Sequence, residues 1–320
     1  MNNYIAFGPV PSRRLGRSLG INNIYDKTCS YSCVYCQLGK TTDLCYERKE
    51  FYTKEQIYES AKNKVNEAIH RNEKIDYITF VPDGEPTIDI NLGEEIMELK
   101  KLGIKIAVIT NSSLIYREDV RNDLYKADLV SLKIDAVDND MWIHINRPHH
   151  KLKLNEIKNG IEKFTKEYKG KIITETMLIG NINYNGALTN IGEYIKTLKN
   201  VDTSYLSIPI RPPADKGVVP PNEKMINEAY HIMSSILGEN KVEYLIGYEG
   251  SEFSYTGNTE ENLLSIMSVH PMREEAVHEF LKKANEDSTL IDKMIKENKV
   301  VKLFYENNTF YMRKIKSQQN

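Results

Sequence analysis

Cysteine is scarce in this chain: four residues in 320, at positions 29, 33, 36 and 45. A disulfide framework scatters its cysteines to staple distant segments, so this clustering argues against one and for metal binding in a reducing compartment. Long apolar runs are missing too. No stretch of about eighteen apolar residues occurs, so no membrane-spanning helix is expected. The start, Met1-Asn2-Asn3-Tyr4, lacks the basic and apolar regions of a secretory signal, and the expected location is the cytoplasm. Charge of one sign is not in excess. The net charge of −2 gives no global field toward nucleic acid or membrane, while leaving room for a local basic patch. Internal repeats and low-complexity segments are absent. What is present is 40% hydrophobic and 28% charged residues, enough to bury a substantial core. The length suits one large barrel or two smaller domains.

From residue 15 to 210, short apolar runs alternate with helical patterns. Runs at 19–24, 77–81, 104–109, 129–134, 172–179 and 205–208 are rich in Ile and Val, as strands buried on both faces should be. Between them, 54–70 carries Ile57, Ala61, Val65, Ala68 and Ile69 near helical spacing. Segments 93–102 and 155–168 read similarly, with Gly103 and Gly170 as stops. Such alternation implies a parallel sheet with right-handed crossovers, and six units suit a partial or complete barrel. Ile208-Pro209-Ile210-Arg211-Pro212-Pro213 then breaks regular structure, and a helix is expected at 223–237.

A polar link at 249–258 divides a core of residues 1–248 from a C-terminal unit of 249–320. That unit shows helical patterns at 260–268, 273–284 and 288–297, then a hairpin of 300–305 and 309–315 around Glu306-Asn307-Asn308. Three helices and a terminal hairpin resemble a winged helix-turn-helix. Its lysines, Lys282, Lys283, Lys293, Lys296, Lys299 and Lys302, are diluted by glutamates. Roles in recognising RNA, a peptide or a protein, or simply in capping the barrel, all remain open.

Cys29-Ser30-Tyr31-Ser32-Cys33-Val34-Tyr35-Cys36 has the spacing C-x3-C-x2-C. Thiolates are the usual ligands of iron–sulfur clusters. Three of them on one loop can hold three corners of a cubane and leave the fourth iron open, as catalytic metal sites keep a position for substrate. Structural zinc is the competing use, but it asks for four ligands in paired spacings, and no second C-x2-C pair exists. Cys45 lies nine residues on and reads as a packed or free thiol rather than a fourth ligand. Asp83-Gly84-Glu85-Pro86-Thr87 follows the second strand, and such residues also make plain turns.

Polar groups gather at other strand ends, where barrel active sites collect. Thr110-Asn111-Ser112-Ser113 follows strand three. Ser131, Lys133 and Asp135 alternate on strand four and so share a face, although Asp135 can instead cap the next segment. Glu175 and Arg211 suit an interior ion pair. Arg13, Arg14 and Arg17 suit either an anion clamp or structural pairing. His149 and His150 lie on a polar loop after strand four, solvated or, alternatively, metal-binding.

The cysteine loop, with Tyr35 just before its last cysteine, resembles the signature of the radical S-adenosylmethionine (radical SAM) superfamily. The segment from Asp83 to Thr87 resembles that family's Gly-Gly-Glu-Pro motif, with Asp83 in place of the first glycine. The resemblance implies an α/β fold, a partial (β/α)6 TIM-like barrel. It implies a [4Fe–4S] cluster on Cys29, Cys33 and Cys36 whose open iron chelates S-adenosylmethionine. One electron, from a reductant such as flavodoxin or ferredoxin, then cleaves the sulfonium to methionine and a 5′-deoxyadenosyl radical that abstracts hydrogen. By the same resemblance Tyr35, Gly84 and Glu85 belong to the cofactor site, and Asn111, Ser131 and Lys133 contact ribose or carboxylate. The segment from Pro9 to Gly20, with the cysteine loop, resembles a branch related to the wyosine-forming tRNA enzymes, without their second-cluster cysteines before Cys29. This makes a tRNA base the leading substrate, ahead of a small molecule or peptide. A rival of another class is an iron–sulfur redox-sensing regulator that binds nucleic acid. Such a sensor would need neither the strand-end polar groups nor the Gly-Glu-Pro turn.

Overall fold

The computed structural model describes residues 5–25, 27–245, 253 and 258–314. An antiparallel hairpin of β1 (Ala6–Ser12) and β2 (Gly16–Ile21) opens the fold. A loop follows, closed by two short parallel strands, β3 (Thr28–Cys29) and β4 (Asp43–Leu44). Helix α1 (Lys54–His70) begins in a capping box between Thr53 and Gln56 and buries Ile57, Ala61, Val65 and Ala68. Strands and helices then alternate: β5 (Tyr77–Phe80), α2 (Leu92–Leu99), β6 (Lys105–Thr110), α3 (Glu118–Leu124), β7 (Leu129–Lys133), α4 (Asn139–Asn146), α5 (Leu154–Glu167), β8 (Lys171–Met177), α6 (Ala187–Thr197), β9 (Val201–Ser207), α7 (Glu223–Leu237) and β10 (Val242–Leu245).

These strands form one open sheet in the order β1-β2-β5-β6-β7-β8-β9-β10, parallel from β2 onward. Strands β2 and β5–β9 are the six expected units of a partial barrel. Ile78, Phe80, Ile106, Val108, Val130, Leu132 and Ile172 are wholly buried in it, which is why these runs lack polar alternation. Because the six strands are parallel, their C-terminal ends share one rim. The cysteine loop and the segments starting at Val81, Asn111, Ile134, Leu178 and Ile208 all meet there.

Several boundaries differ from expectation. The first predicted strand, 19–24, is observed at Gly16–Ile21, because Asn22 and Asn23 leave the ladder to bind the next turn. Asn22 accepts from the Asp83 amide at 3.1 Å, and Asn23 donates to the Pro86 carbonyl at 3.3 Å. β1 was not anticipated, since Pro9 and Pro11 disguise it, but an edge strand tolerates proline. β10, a short edge strand with the polar centre Glu243, was also missed. Gly103 does stop the α2 segment in a left-handed conformation, φ 71°, after a 3-10 turn. Gly170 serves differently: a Cβ there would lie 2.3 Å from the Tyr168 hydroxyl oxygen.

The C-terminal unit contains α8 (Thr259–Val269), β11 (Met272–Arg273), α9 (Glu274–Lys283), α10 (Thr289–Lys296), β12 (Val300–Tyr305) and β13 (Asn308–Arg313), with strand order β11-β13-β12. β11 is a strand the sequence did not suggest. The hairpin turn is two residues, Glu306 and Asn307, with φ of 47° and 60°, as hairpins closed by a primed turn require. The expected link at 249–258 lies outside the described residues apart from 253 and 258, as does the boundary at 248/249. The unit's core of Leu263, Met267, Met272, Phe280, Ile291 and Met294 takes in Phe7 and Val10 of β1.

Candidate functional site

The cysteine loop is held at both ends and in the middle. Cys29 pairs with Leu44 across β3 and β4, and the Cys45 amide donates to the Cys29 carbonyl at 2.9 Å. Inside the loop, the Cys36 amide bonds the Cys33 carbonyl and the Gly39 amide bonds the Cys36 carbonyl, giving two tight turns. The Val34 amide reaches the Ile145 carbonyl at the end of α4, and Trp142 donates to the Tyr31 hydroxyl at 3.0 Å. This presents three unbridged, half-buried thiols, Cys29, Cys33 and Cys36, above the sheet rim. Asn111 Nδ2 lies 3.5 Å from the Cys29 sulfur, and Asn146 Nδ2 lies 3.4 Å from that of Cys33.

Burial pushes all three thiols up, Cys33 to about 12, and negative charge on other members of the trio adds to the rise at Cys29 and Cys33. Such thiols stay protonated until a metal takes the negative charge in place of the proton. Among the described residues, no three His, Cys, Asp or Glu side chains converge closely enough to hold one metal ion. A cubane demands less convergence, because each thiolate binds its own iron corner. Three loop thiols with amide donors aimed at two of them therefore fit a [4Fe–4S] cluster. Cys45 does not share that direction: its sulfur meets the Glu47 carbonyl at 3.2 Å.

Gly84 has φ 156°, and a Cβ there would fall 1.8 Å from the Thr28 carbonyl oxygen. The two main chains bridge directly, Thr28 to Gly84, and the Glu85 amide donates to the Thr28 carbonyl at 3.2 Å. The Glu85 carboxylate is buried and accepts from the Thr87 amide and hydroxyl, the Thr110 hydroxyl and the Asn111 amide, at 2.6–3.1 Å. Burial raises its pKa, and these donors oppose the rise. Glu85 thus clamps the ends of β5 and β6 and sets Asn111 against the loop.

Across the rim, Lys133 donates to Glu175 at 2.7 Å and sits 5.0 Å above the Tyr35 ring. Glu175 also pairs with Arg14 and accepts from Ser207 at 2.9 Å. Burial acts to raise the Glu175 pKa, but the Arg14 and Lys133 charges outweigh it and hold the carboxyl well below its usual range. The expected Glu175–Arg211 pair is replaced: Arg211 donates to Gln37 at 2.8 Å and meets His270 of the C-terminal unit at 2.9 Å. Asp135 is not a cap either. It binds the Tyr35 hydroxyl, Asn146 and the Met177 amide, while Asp138 caps α4. Ser131 is buried on β7, two residues before Lys133. Arg17 is held structurally, its side chain on Glu73 and its amide on Asp76.

The family model of the radical SAM superfamily matches residues 24–189. The chain belongs to the radical SAM superfamily. The matched span contains the cysteine loop, the Gly84 turn, Asn111, Ser131 and Lys133. The UPF0026 protein MJ1312 of Methanocaldococcus jannaschii is 51% identical over 315 residues, covering 98% of this chain and 97% of that protein. Among solved structures, TYW1 with a lysine-pyruvate adduct bound is similar with TM-score 0.50 and 17% identity, over 68% of this chain and 73% of that one. Streptococcus suis SuiB bound to precursor peptide SuiA gives TM-score 0.55 and 13% identity, over 87% of this chain and 66% of that one. At such identities the two structures establish the shared radical SAM fold. A [4Fe–4S] cluster and S-adenosylmethionine are the cofactors that superfamily membership implies.

Sequence reasoning missed Lys27, Asn146 and the Arg14–Glu175 pair. Asn146 is the last residue of α4, just before the loop that carries His149 and His150. Arg14 and Glu175 are 161 positions apart, and no local signal connects them.

Proposed function

We propose that this chain is a radical SAM enzyme in which Cys29, Cys33 and Cys36 hold a [4Fe–4S] cluster with one open iron for S-adenosylmethionine. When bound, the cluster supplies one electron, delivered by a flavodoxin or ferredoxin, that splits the sulfonium into methionine and a 5′-deoxyadenosyl radical for hydrogen abstraction. The observation that carries this reading is the trio of half-buried thiols seated against the Gly84 turn. Tyr35, Gly84, Asn111, Ser131 and Lys133 then border the cofactor, and Glu85 positions Gly84 and Asn111 from below. Lys133 keeps its charge because Glu175 and Asp135 together more than offset the cost of burial, so it can orient a carboxylate. Asn111 and Asn146 orient the thiolates, and the α4 contact limits access of water to the loop.

A tRNA base is the favoured substrate class. Beside the cysteine loop, Tyr46 stacks on His149 at 4.6 Å and His149 on His150 at 4.4 Å, with Lys151 bonded to the Tyr46 hydroxyl at 3.1 Å. The His149 amide is tied to the Ser30 carbonyl at 2.9 Å. Half-buried Tyr46 and His149 rings beside the exposed His150, with an adjacent cation, suit an unpaired base. The winged-helix regulator is disfavoured because Lys299 pairs with Glu260 and Glu297, and Lys302 with Glu274. Those pairs neutralise part of the basic face that DNA reading requires.

The test is anaerobic reconstitution followed by reduction in the presence of S-adenosylmethionine. Wild type should yield 5′-deoxyadenosine, faster with unmodified tRNA. Cys33→Ala should yield none, and Cys45→Ala should retain the product. Cluster loss in Cys45→Ala would overturn the ligand assignment, and indifference to tRNA would remove the substrate class.

A further inference from the structure

Asp83 stands where the superfamily motif has its first glycine, and its partner is Lys27, with Nζ 3.1 Å from Oδ1. The pair is almost fully enclosed: the side chains are 6% and 2% exposed. An enclosed ion pair is a weak device for stability, because desolvation consumes most of the Coulombic gain. The backbone of Lys27 is costly as well. Its φ is 62°, a left-handed conformation that usually goes to Gly or Asn. Neither of those could supply a cation.

The position explains why one is kept. Lys27 closes the cysteine loop: its amide donates to the Asp83 carbonyl at 2.9 Å, and its carbonyl accepts from the Thr42 and Asp43 amides at 3.3 and 3.2 Å. The side chain reaches across the loop, so that Nζ lies 3.9 Å from where a Cβ on Gly39 would be. Gly39 in turn is bonded to Cys36. Among the described residues, the buried ammonium meets Asp83 as an ion pair and has no well-aligned hydrogen bond. The ammonium therefore lies against the turn that carries Cys36, with the Asp83 carboxylate beside it.

We propose that Lys27 is a positioning residue that raises the reduction potential of the cluster through a buried positive charge beside Cys36, and that Asp83 limits this effect. The inference rests on the cluster reading above. Reduction adds one electron to the cluster, and a nearby cation stabilises the more negative state. Net charge and hydrogen bonding at the sulfurs are established levers on such potentials.

The experiment is a redox titration of anaerobically reconstituted protein without S-adenosylmethionine, followed by electron paramagnetic resonance, with iron content measured on each sample. Lys27→Met should shift the midpoint to a more negative value. Asp83→Asn, which keeps the lysine, should shift it to a more positive one, and Lys27→Arg should stay near wild type. Unchanged midpoints at full iron content, or shifts of the same sign in Lys27→Met and Asp83→Asn, would overturn the proposal while leaving the cluster reading intact. Should Lys27→Met fail to take up iron, Asp83→Asn decides alone. A wild type that takes up no iron would instead sink the cluster reading, and this inference with it.

Discussion

At Gly84 the main chain has no spare volume. Any side chain must displace the Thr28 carbonyl 1.8 Å away or abandon the φ of 156°, and either breaks the bridge that ties the cysteine loop to the sheet rim. Gly84→Ala should therefore destabilise the iron-free protein by about 1–3 kcal/mol and reduce iron uptake on reconstitution. Denaturant melts and iron analysis check both, and wild-type values in both would show that the turn yields. At this scale the glycine was legible from its motif and the cysteines from their spacing. Lys27 was not, because a lysine beside a loop reads as solvated until the tertiary contacts bury it.

The first turn of α2 carries a buried acid whose partner comes from another element. Glu95 and Asp89 lie together with Asn23, whose Nδ2 is 3.3 Å from each carboxyl. Burial raises the Glu95 carboxyl, and the Asp89 charge raises it further, so Glu95 holds its proton when folded at pH values where the unfolded chain has lost it. The native state then binds more protons than the unfolded state, and stability must fall as pH rises above the ordinary carboxylate range. Glu95→Gln removes this cost. Its melting temperature should exceed wild type at pH 8, and the gap should narrow toward pH 5. The slope is bounded by about 1.4 kcal/mol per pH unit. A gap independent of pH would mean that Glu95 is ionised when folded. Helices and parallel strands were readable here from apolar spacing. The helix end that buries a carboxyl was not, since Glu in a first turn is ordinary on an exposed surface.

Across the whole molecule, the C-terminal unit is joined to the barrel through its core. Phe7 and Val10 of β1 are buried among Leu263, Met267 and Phe280. The Tyr305 hydroxyl donates to the Pro209 carbonyl at 3.1 Å, and His270 meets Arg211. The unit thus touches both β1 and the segment after β9, which lie far apart in the sheet order. Phe7→Ala should cost about 3–5 kcal/mol and lower a single unfolding transition followed by far-UV circular dichroism and by tyrosine fluorescence. Separate transitions by the two probes would show a unit that unfolds independently.

The alternation of apolar runs and amphipathic segments was enough to read a parallel sheet with helical crossovers, because those periods are local properties of the chain. The candidate cluster thiols were equally readable, since three cysteines within one short loop need no distant partner. Which polar groups meet around the barrel was decided by the tertiary structure. Arg14 finds Glu175, Arg211 finds Gln37 and His270, and Lys27 finds Asp83, because folding places β2, β5, β8 and β9 at fixed positions around one mouth. Charge pairing depends on distance in space, and spacing along a sequence carries that distance only within an element.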